Sequence, residues 1–164
     1  MGIDRKGYKM KITLVYDTVY GNTKQIAKAI KAGISNTHEI KLIEAERASI
    51  DDVKDADMLI LGSPTHGGWF TDPVKMFLQS IQENSLGNRK GAAFDTTTSK
   101  ENESWFVKKI IDFFGYASKR ISKELVRKGL TLISSESFYV HGKEGPLQEG
   151  EIERAKEWSA KLTG

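Results

Sequence analysis

The sequence contains no cysteine, only 3 prolines and 3 histidines, and no apolar run much longer than MLIL at 58–61. Each shortage removes a class of function. Without cysteine there is no disulfide framework, no cysteine-ligated zinc or iron–sulfur centre and no thiol nucleophile, so redox chemistry requires a bound organic cofactor. His38, His66 and His141 form no metal-spaced pair and no part of a Gly-x-Ser-x-Gly arrangement, so neither a metal site nor a hydrolase triad is expected. Apolar runs this short fall far below the roughly 20 residues of a membrane span. The basic amino end, MGIDRKGYKMK, has no apolar stretch behind its charges, and Lys6 stands where a myristoylation signal needs Ser or Thr. The expectation is a protein of the reducing cytoplasm with no membrane partner.

What is present is a chain of 164 residues with 38% hydrophobic content. At about 150 residues a single domain buries roughly 68–70% of its unfolded surface, enough for an unaided core. Residues 1–9 read as a basic extension, with Met10 a second start or the mark of an added segment, and residues 10–164 as one domain. The net charge of +3 raises the question of nucleic acid. The basic residues are spread along helical stretches such as KKIIDFFGYASKRISKELVRKG with acids between them, which is the pattern of a solvated helix face, so no nucleic-acid partner is expected.

Along the chain, strand-like segments alternate with helical ones. KITLVY at Lys11–Tyr16 is β-branched and apolar, and after a turn Ile26, Ala27, Ile30 and Ile34 recur at helical spacing over 23–34. Residues 39–43 alternate like a strand with one wet side, whereas 58–61 is apolar on both faces, as in a central parallel strand. Asp72 reads as a helix N-cap before Pro73, with Val74, Phe77, Leu78 and Ile81 as the buried stripe. A fourth strand spans 91–94, a helix containing Ile121 is stopped by Gly129, a fifth strand lies within 130–140 with an interruption near Ser134 and Ser135, and a last helix starts near Gly150. This alternation specifies an α/β, three-layer, doubly wound parallel sheet with helices on both faces. Ligands in such folds bind beyond the carboxyl ends of the strands, which directs attention to the loops at 17–22, 63–71 and 95–104.

The first of these, TVYGNT at 18–23, runs straight into a helix. Backbone N–H groups at a helix amino end carry about half a positive charge, the hydroxyls of Thr18 and Thr23 and the amide of Asn22 add donors, and Gly21 lets the backbone turn closely around an anion. No Gly-x-x-x-x-Gly-Lys-[Ser/Thr] and no Gly-x-Gly-x-x-Gly occurs, so ordinary nucleoside triphosphates and dinucleotides lose their support, and a phosphomonoester without a balancing lysine remains.

TVYGNT after a β-branched strand resembles the phosphate loop of the flavodoxins, T/S-x-T-G-x-T, with Tyr20 in place of a Thr, as in the flavodoxin-type domains of flavodiiron proteins. The resemblance implies FMN as cofactor, a five-stranded sheet of order 2-1-3-4-5, and a phosphate held by Thr18, Val19, Tyr20, Gly21, Asn22 and Thr23. GSPTHGGWF resembles the family's loop after the third strand, which lies against the flavin ring. It implies contacts from Ser63, Pro64, Thr65, His66, Gly67, Gly68 and Trp69, with Gly67 at the position whose peptide turns to offer its carbonyl to flavin N5, and with His66 or Trp69 stacked on the ring. The loop FDTTTSKENESWF matches less well. By the same resemblance Phe94, Asp95, Thr96, Thr97, Thr98 and Ser99 approach the edge of the ring, with Glu101 near the family's usual Tyr and Trp105 or Phe106 as its replacement.

The function so implied is that of a low-potential electron carrier between redox proteins. The flavin is then the reactive element, and no residue is catalytic. The basic balance, with Lys24, Lys75 and Lys100 near the loops, leads to a second reduction step less negative than in acidic flavodoxins and to acidic docking surfaces on the partners. The alternative is an FMN-dependent NAD(P)H:quinone or nitro-compound oxidoreductase of the same fold, which needs a second ligand pocket that the short chain has no clear insertion to build. A phospho-acceptor receiver is opposed by Leu61 and Gly62 where an Asp would close the third strand, and by Phe138, Tyr139, Val140 and His141 where a Lys would close the fifth.

Overall fold

The computed structural model describes residues 7–164, apart from the side chains of residues 102 and 112–114. Most of the basic extension, residues 1–6, lies outside the described residues. The Tyr8 hydroxyl donates to the Asp57 carboxylate at 3.0–3.1 Å, and the Met10 carbonyl accepts the Glu39 N–H at 3.0 Å, so the sheet ladder begins at Met10.

Strands β1 (Lys11–Tyr16), β2 (Glu39–Glu44), β3 (Met58–Pro64), β4 (Lys90–Thr98) and β5 (Thr131–Val140) form one parallel sheet in the order β2-β1-β3-β4-β5. This is the order implied above. Successive side chains of a strand face opposite sides, and both sides are filled. Ile12, Leu14, Met58, Ile60, Ala92 and Phe94 face helices α1 (Asn22–Ile34) and α5 (Glu151–Thr163). Val15, Leu59, Leu61 and Ala93 face α2 (Asp72–Gln79) and α4 (Ala117–Arg127). Edge strand β2 keeps its expected wet side.

Four local outcomes differ from the sequence reading. Thr71, not Asp72, is the N-cap of α2, which shifts Pro73 one place into the first turn, and Ile81 is buried just past the helix end. Strand β4 continues to Thr98, because the β-branched Thr96, Thr97 and Thr98 pair with Phe138, Tyr139 and Val140 where a loop was expected. The helical stretch read from Lys108 on begins earlier and is broken in two: α3 (Trp105–Phe114) is N-capped by the Ser104 hydroxyl and ended by Gly115 at φ 75°, before α4 starts at Ala117. The interruption in β5 is a register shift, in which Leu132 pairs with Gly91 and Ser134 with Ala92, and the strand continues through it.

Helices α1 and α5 approach so closely that a Cβ on Gly33 would lie 2.1 Å from Ser159 Oγ and 2.6 Å from the Lys156 carbonyl oxygen. The hydroxyl can rotate away, but the carbonyl belongs to a helix and cannot. Overpacking of about 1–3 kcal/mol therefore outweighs the helix-propensity gain of about 1 kcal/mol. Gly33→Ala is expected to lower the stability by about 1–2 kcal/mol in urea unfolding, and an unchanged or raised midpoint would contradict this helix contact.

Candidate functional site

Backbone geometry at the carboxyl edge of the sheet makes the site. β1 ends at Tyr16, and the chain turns through Gly21 at φ 89° directly into α1. That conformation is strained for any residue with a Cβ. No side chain caps α1, so the first N–H groups of the helix remain open to a ligand. The Thr18 hydroxyl accepts the Gly21 N–H at 3.0 Å and keeps its own proton to donate. The other polar side chains of this loop act as braces. Thr23 Oγ1 and Thr96 Oγ1 are 2.7 Å apart, joining α1 to β4, and the Asn22 amide donates to the Glu144 carbonyl at 3.0 Å. The donors left without a partner among the described residues at this loop are thus the first backbone N–H groups of α1 and the proton of the Thr18 hydroxyl.

After β3, His66 and Trp69 exchange both backbone hydrogen bonds, at 2.9 and 3.0 Å, around Gly67 and Gly68. Both glycines have positive φ, 56° and 82°, as a tight two-residue hairpin turn demands. The turn is anchored at its base, where the Thr71 N–H donates to Ser63 Oγ at 3.0 Å. It is anchored at its tip by Arg120 of α4, whose Nε donates to the Gly68 carbonyl at 2.7 Å and whose guanidinium lies 3.8 Å from the centroid of the Trp69 ring.

These loops enclose a cleft of about 420 Å³, within the usual range for small-molecule sites. Of the residues singled out in the sequence, Val19, Tyr20, Asn22, Thr23, Pro64, Thr65, His66, Gly67, Thr96, Thr97 and Thr98 line it. Thr18, Gly21, Ser63, Gly68, Trp69, Phe94, Asp95 and Ser99 are not in its lining. Phe94 is the clearest correction. Its ring is fully buried against Phe138 and Trp158 and lies under Gly62, where a Cβ would come within 2.1 Å of it. Because β4 runs on to Thr98, Phe94 is a core residue and Asp95 lies beneath the cleft floor. Trp69, 56% exposed, is drawn toward α4 and borders a separate hollow of about 570 Å³ with Phe70, Lys75 and Leu78. Of the lysines expected near the loops, Lys24 pairs with Glu44 at 3.8 Å, Lys75 lines that hollow, and Lys100 is outside the lining of the cleft.

The lining also includes Glu103, Val140, Gly142 and Lys143, which the sequence reading did not single out. The signal was available for three of them. The rule that ligands sit beyond strand ends applies to β5 as well as to β1, β3 and β4.

Below the floor, Asp95 is fully buried. Thr65 Oγ1 donates to its Oδ2 and accepts the Ala117 N–H at 3.1 Å, so one hydroxyl links the end of β3, β4 and the start of α4. Oδ1 makes no hydrogen bond of normal geometry, although Ser118 and Ser137 lie near enough to favour the charged form. Burial dominates and pushes the carboxyl up to about 6 from its ordinary 3.8. Between those values the folded chain keeps a proton that the unfolded chain has released, so stability falls as pH rises through this window. At 1.36 kcal/mol per unit the fall is on the order of 3 kcal/mol. Asp95→Asn is expected to remove it in urea unfolding followed from pH 4 to 7, and parallel pH profiles for the two proteins would contradict the burial argument.

The family model for flavodoxin matches residues 14–158. A flavodoxin of Clostridium saccharobutylicum is 28% identical over 92 residues, covering 55% of this chain and 58% of that one. A flavodoxin of Aquifex aeolicus is 32% identical over 83 residues, covering 49% and 45%. The match thus spans about half the length of these curated relatives. Among solved structures, oxidised flavodoxin 1 of Bacillus cereus superposes with a TM-score of 0.73 at 19% identity, over 93% of this chain and 97% of that one, which shows the shared fold. With its model matched across nearly the whole sheet and all four cleft-forming strand ends, this chain belongs to the flavodoxin family.

Proposed function

We propose that the cleft binds FMN and that the protein carries electrons between redox proteins. The observation that carries this reading is the uncapped amino end of α1 opening into the same cleft as the His66–Trp69 turn and the threonine wall of β4. The donor set suits a phosphomonoester. Aligned N–H groups and the Thr18 hydroxyl meet the charge, and a helix amino end favours it. When bound, FMN supplies both one- and two-electron chemistry. The chain's own residues bind and orient it. His66 and Gly67 border one side of the space for the ring, Thr96, Thr97 and Thr98 another, and the left-handed backbone at Gly67 leaves a peptide that can turn without a Cβ in its way.

Acidic partner surfaces fit what lies beside the cleft. Helix α3 begins two residues after Glu103 of the cleft wall and presents Trp105 and Phe106, 69% and 65% exposed, together with Lys108 and Lys109. Lys109 lies 4.2 Å from the centroid of the Trp105 ring. The lysines on this helix can pair with acidic groups of a partner while the exposed rings give it apolar surface to cover. No helix among the described residues is long and apolar enough to cross a membrane.

Purified protein incubated with FMN and passed through a gel-filtration column is expected to elute yellow and to release FMN on acid treatment. A colourless eluate would overturn the reading, and steady oxidation of NAD(P)H by the loaded protein alone would replace the carrier with a reductase. In a spectroelectrochemical titration the second electron is expected to enter at a less negative potential than in acidic flavodoxins, because a net charge of +3 and Lys143 in the cleft wall stabilise the developing negative charge. An equally low value would refute that electrostatic account.

A further inference from the structure

We propose that Lys143 supplies the positive charge that the phosphate loop lacks, and thereby selects phosphorylated over unphosphorylated flavin. The inference rests on the FMN reading and assigns a residue to it. The loop TVYGNT holds no cation, and Lys24 in the first turn of α1 is paired with Glu44. Lys143 is the cationic side chain among the described residues lining the cleft, and it arrives from the loop after β5, more than a hundred residues along the chain.

Its place is built into the fold. The loop closes on itself through the His141 N–H to the Pro146 carbonyl at 2.8 Å, and Gly142 and Gly145, at φ 69° and 98°, flank the segment that carries Lys143. The segment is seated on the first residue of α1. The Asn22 amide donates to the Glu144 carbonyl at 3.0 Å, and a Cβ on Gly145 would stand 2.6 Å from both polar atoms of the Asn22 side chain. Lys143 is therefore fixed by its backbone at the phosphate end of the cleft, beside the open N–H groups of the helix. The other charged group in the lining, Glu103, is engaged by the Thr98 hydroxyl. No hydrogen bond or ion pair to a described residue occupies the Lys143 ammonium. It is exposed and hydrated, so it can turn to a phosphate dianion without breaking a protein contact.

The test measures dissociation constants for FMN and for riboflavin by flavin-fluorescence quenching. The proteins are the wild type, Lys143→Gln, Lys143→Arg and, as a control for net charge alone, Lys31→Gln in the last turn of α1, at the end away from the cleft. Lys143→Gln is expected to weaken FMN binding about five- to tenfold, between the worth of an exposed ion pair and that of a charge-assisted hydrogen bond. Riboflavin binding should stay unchanged, Lys143→Arg should restore most of the FMN affinity, and Lys31→Gln should have no effect. Raising salt from about 0.05 to about 0.5 M should narrow the gap between wild type and Lys143→Gln for FMN. Equal losses for both flavins, unchanged FMN affinity in Lys143→Gln, or an equal loss in Lys31→Gln would overturn the assignment while leaving the cofactor in place. A wild type that binds neither flavin would overturn the FMN reading itself.

Discussion

Asp95 is a carboxylate held entirely out of water at the carboxyl edge of the sheet, and the arrangement of the cleft depends on how it is satisfied. Thr65 donates to it and in doing so fixes the start of the turn that carries His66 and Gly67. The same Thr65 oxygen accepts the first N–H of α4, the helix whose Arg120 holds the far side of that turn. A buried polar group without partners costs several times what a hydrogen bond contributes, so this cluster admits few arrangements. One residue further along β4, Thr96 meets Thr23 and sets where α1 begins. The α1 end and the turn end of the cleft are thus registered to each other through adjacent residues of a single strand.

The rest follows from how a parallel sheet is covered. Helices on both faces bury every central strand, leaving the strand ends as the place where backbone groups and polar side chains can meet a ligand. Here those ends supply uncapped N–H groups from α1, a turn with two left-handed glycines after β3, a row of threonines at the end of β4, and a loop carrying Lys143 after β5. Donors suited to an anion lie at one end and mostly uncharged side chains line the rest, the division of labour that the proposed phosphorylated aromatic cofactor requires.

Much of this was legible from residue order. The alternation of KITLVY and MLIL with helical spacings gave the sheet and its two helical layers, and the strand-end rule located the loops at 17–22 and 63–71. What escaped depended on tertiary context. FDTTT reads as a loop because of Asp95, yet a carboxyl with Thr65 on one oxygen sits in a central strand, and that one change places Phe94 in the core and Asp95 beneath the floor. Trp69 reads, with His66, as one of two candidates for stacking on a ring, and its contact with the guanidinium of Arg120, 51 residues away, has no local signal. The start of α3 at Trp105 escaped because Trp105 and Phe106 point outward, against the usual amphipathic logic, although the stretch from Lys108 on reads as helical. Lys143 was missed because no local pattern joins it to TVYGNT, and only the contact between Asn22 and Glu144 does.

The central claim is that one cleft, formed by four strand ends, holds FMN with its phosphate on α1. Amide chemical-shift mapping in the ¹⁵N–¹H spectrum during FMN titration tests it most directly. The account predicts large shifts at residues 19–24, 65–67 and 96–98, with those at 19–24 reduced when riboflavin replaces FMN. Shifts concentrated instead around the hollow between α2 and α4, at Phe70, Lys75 and Lys128, would contradict it.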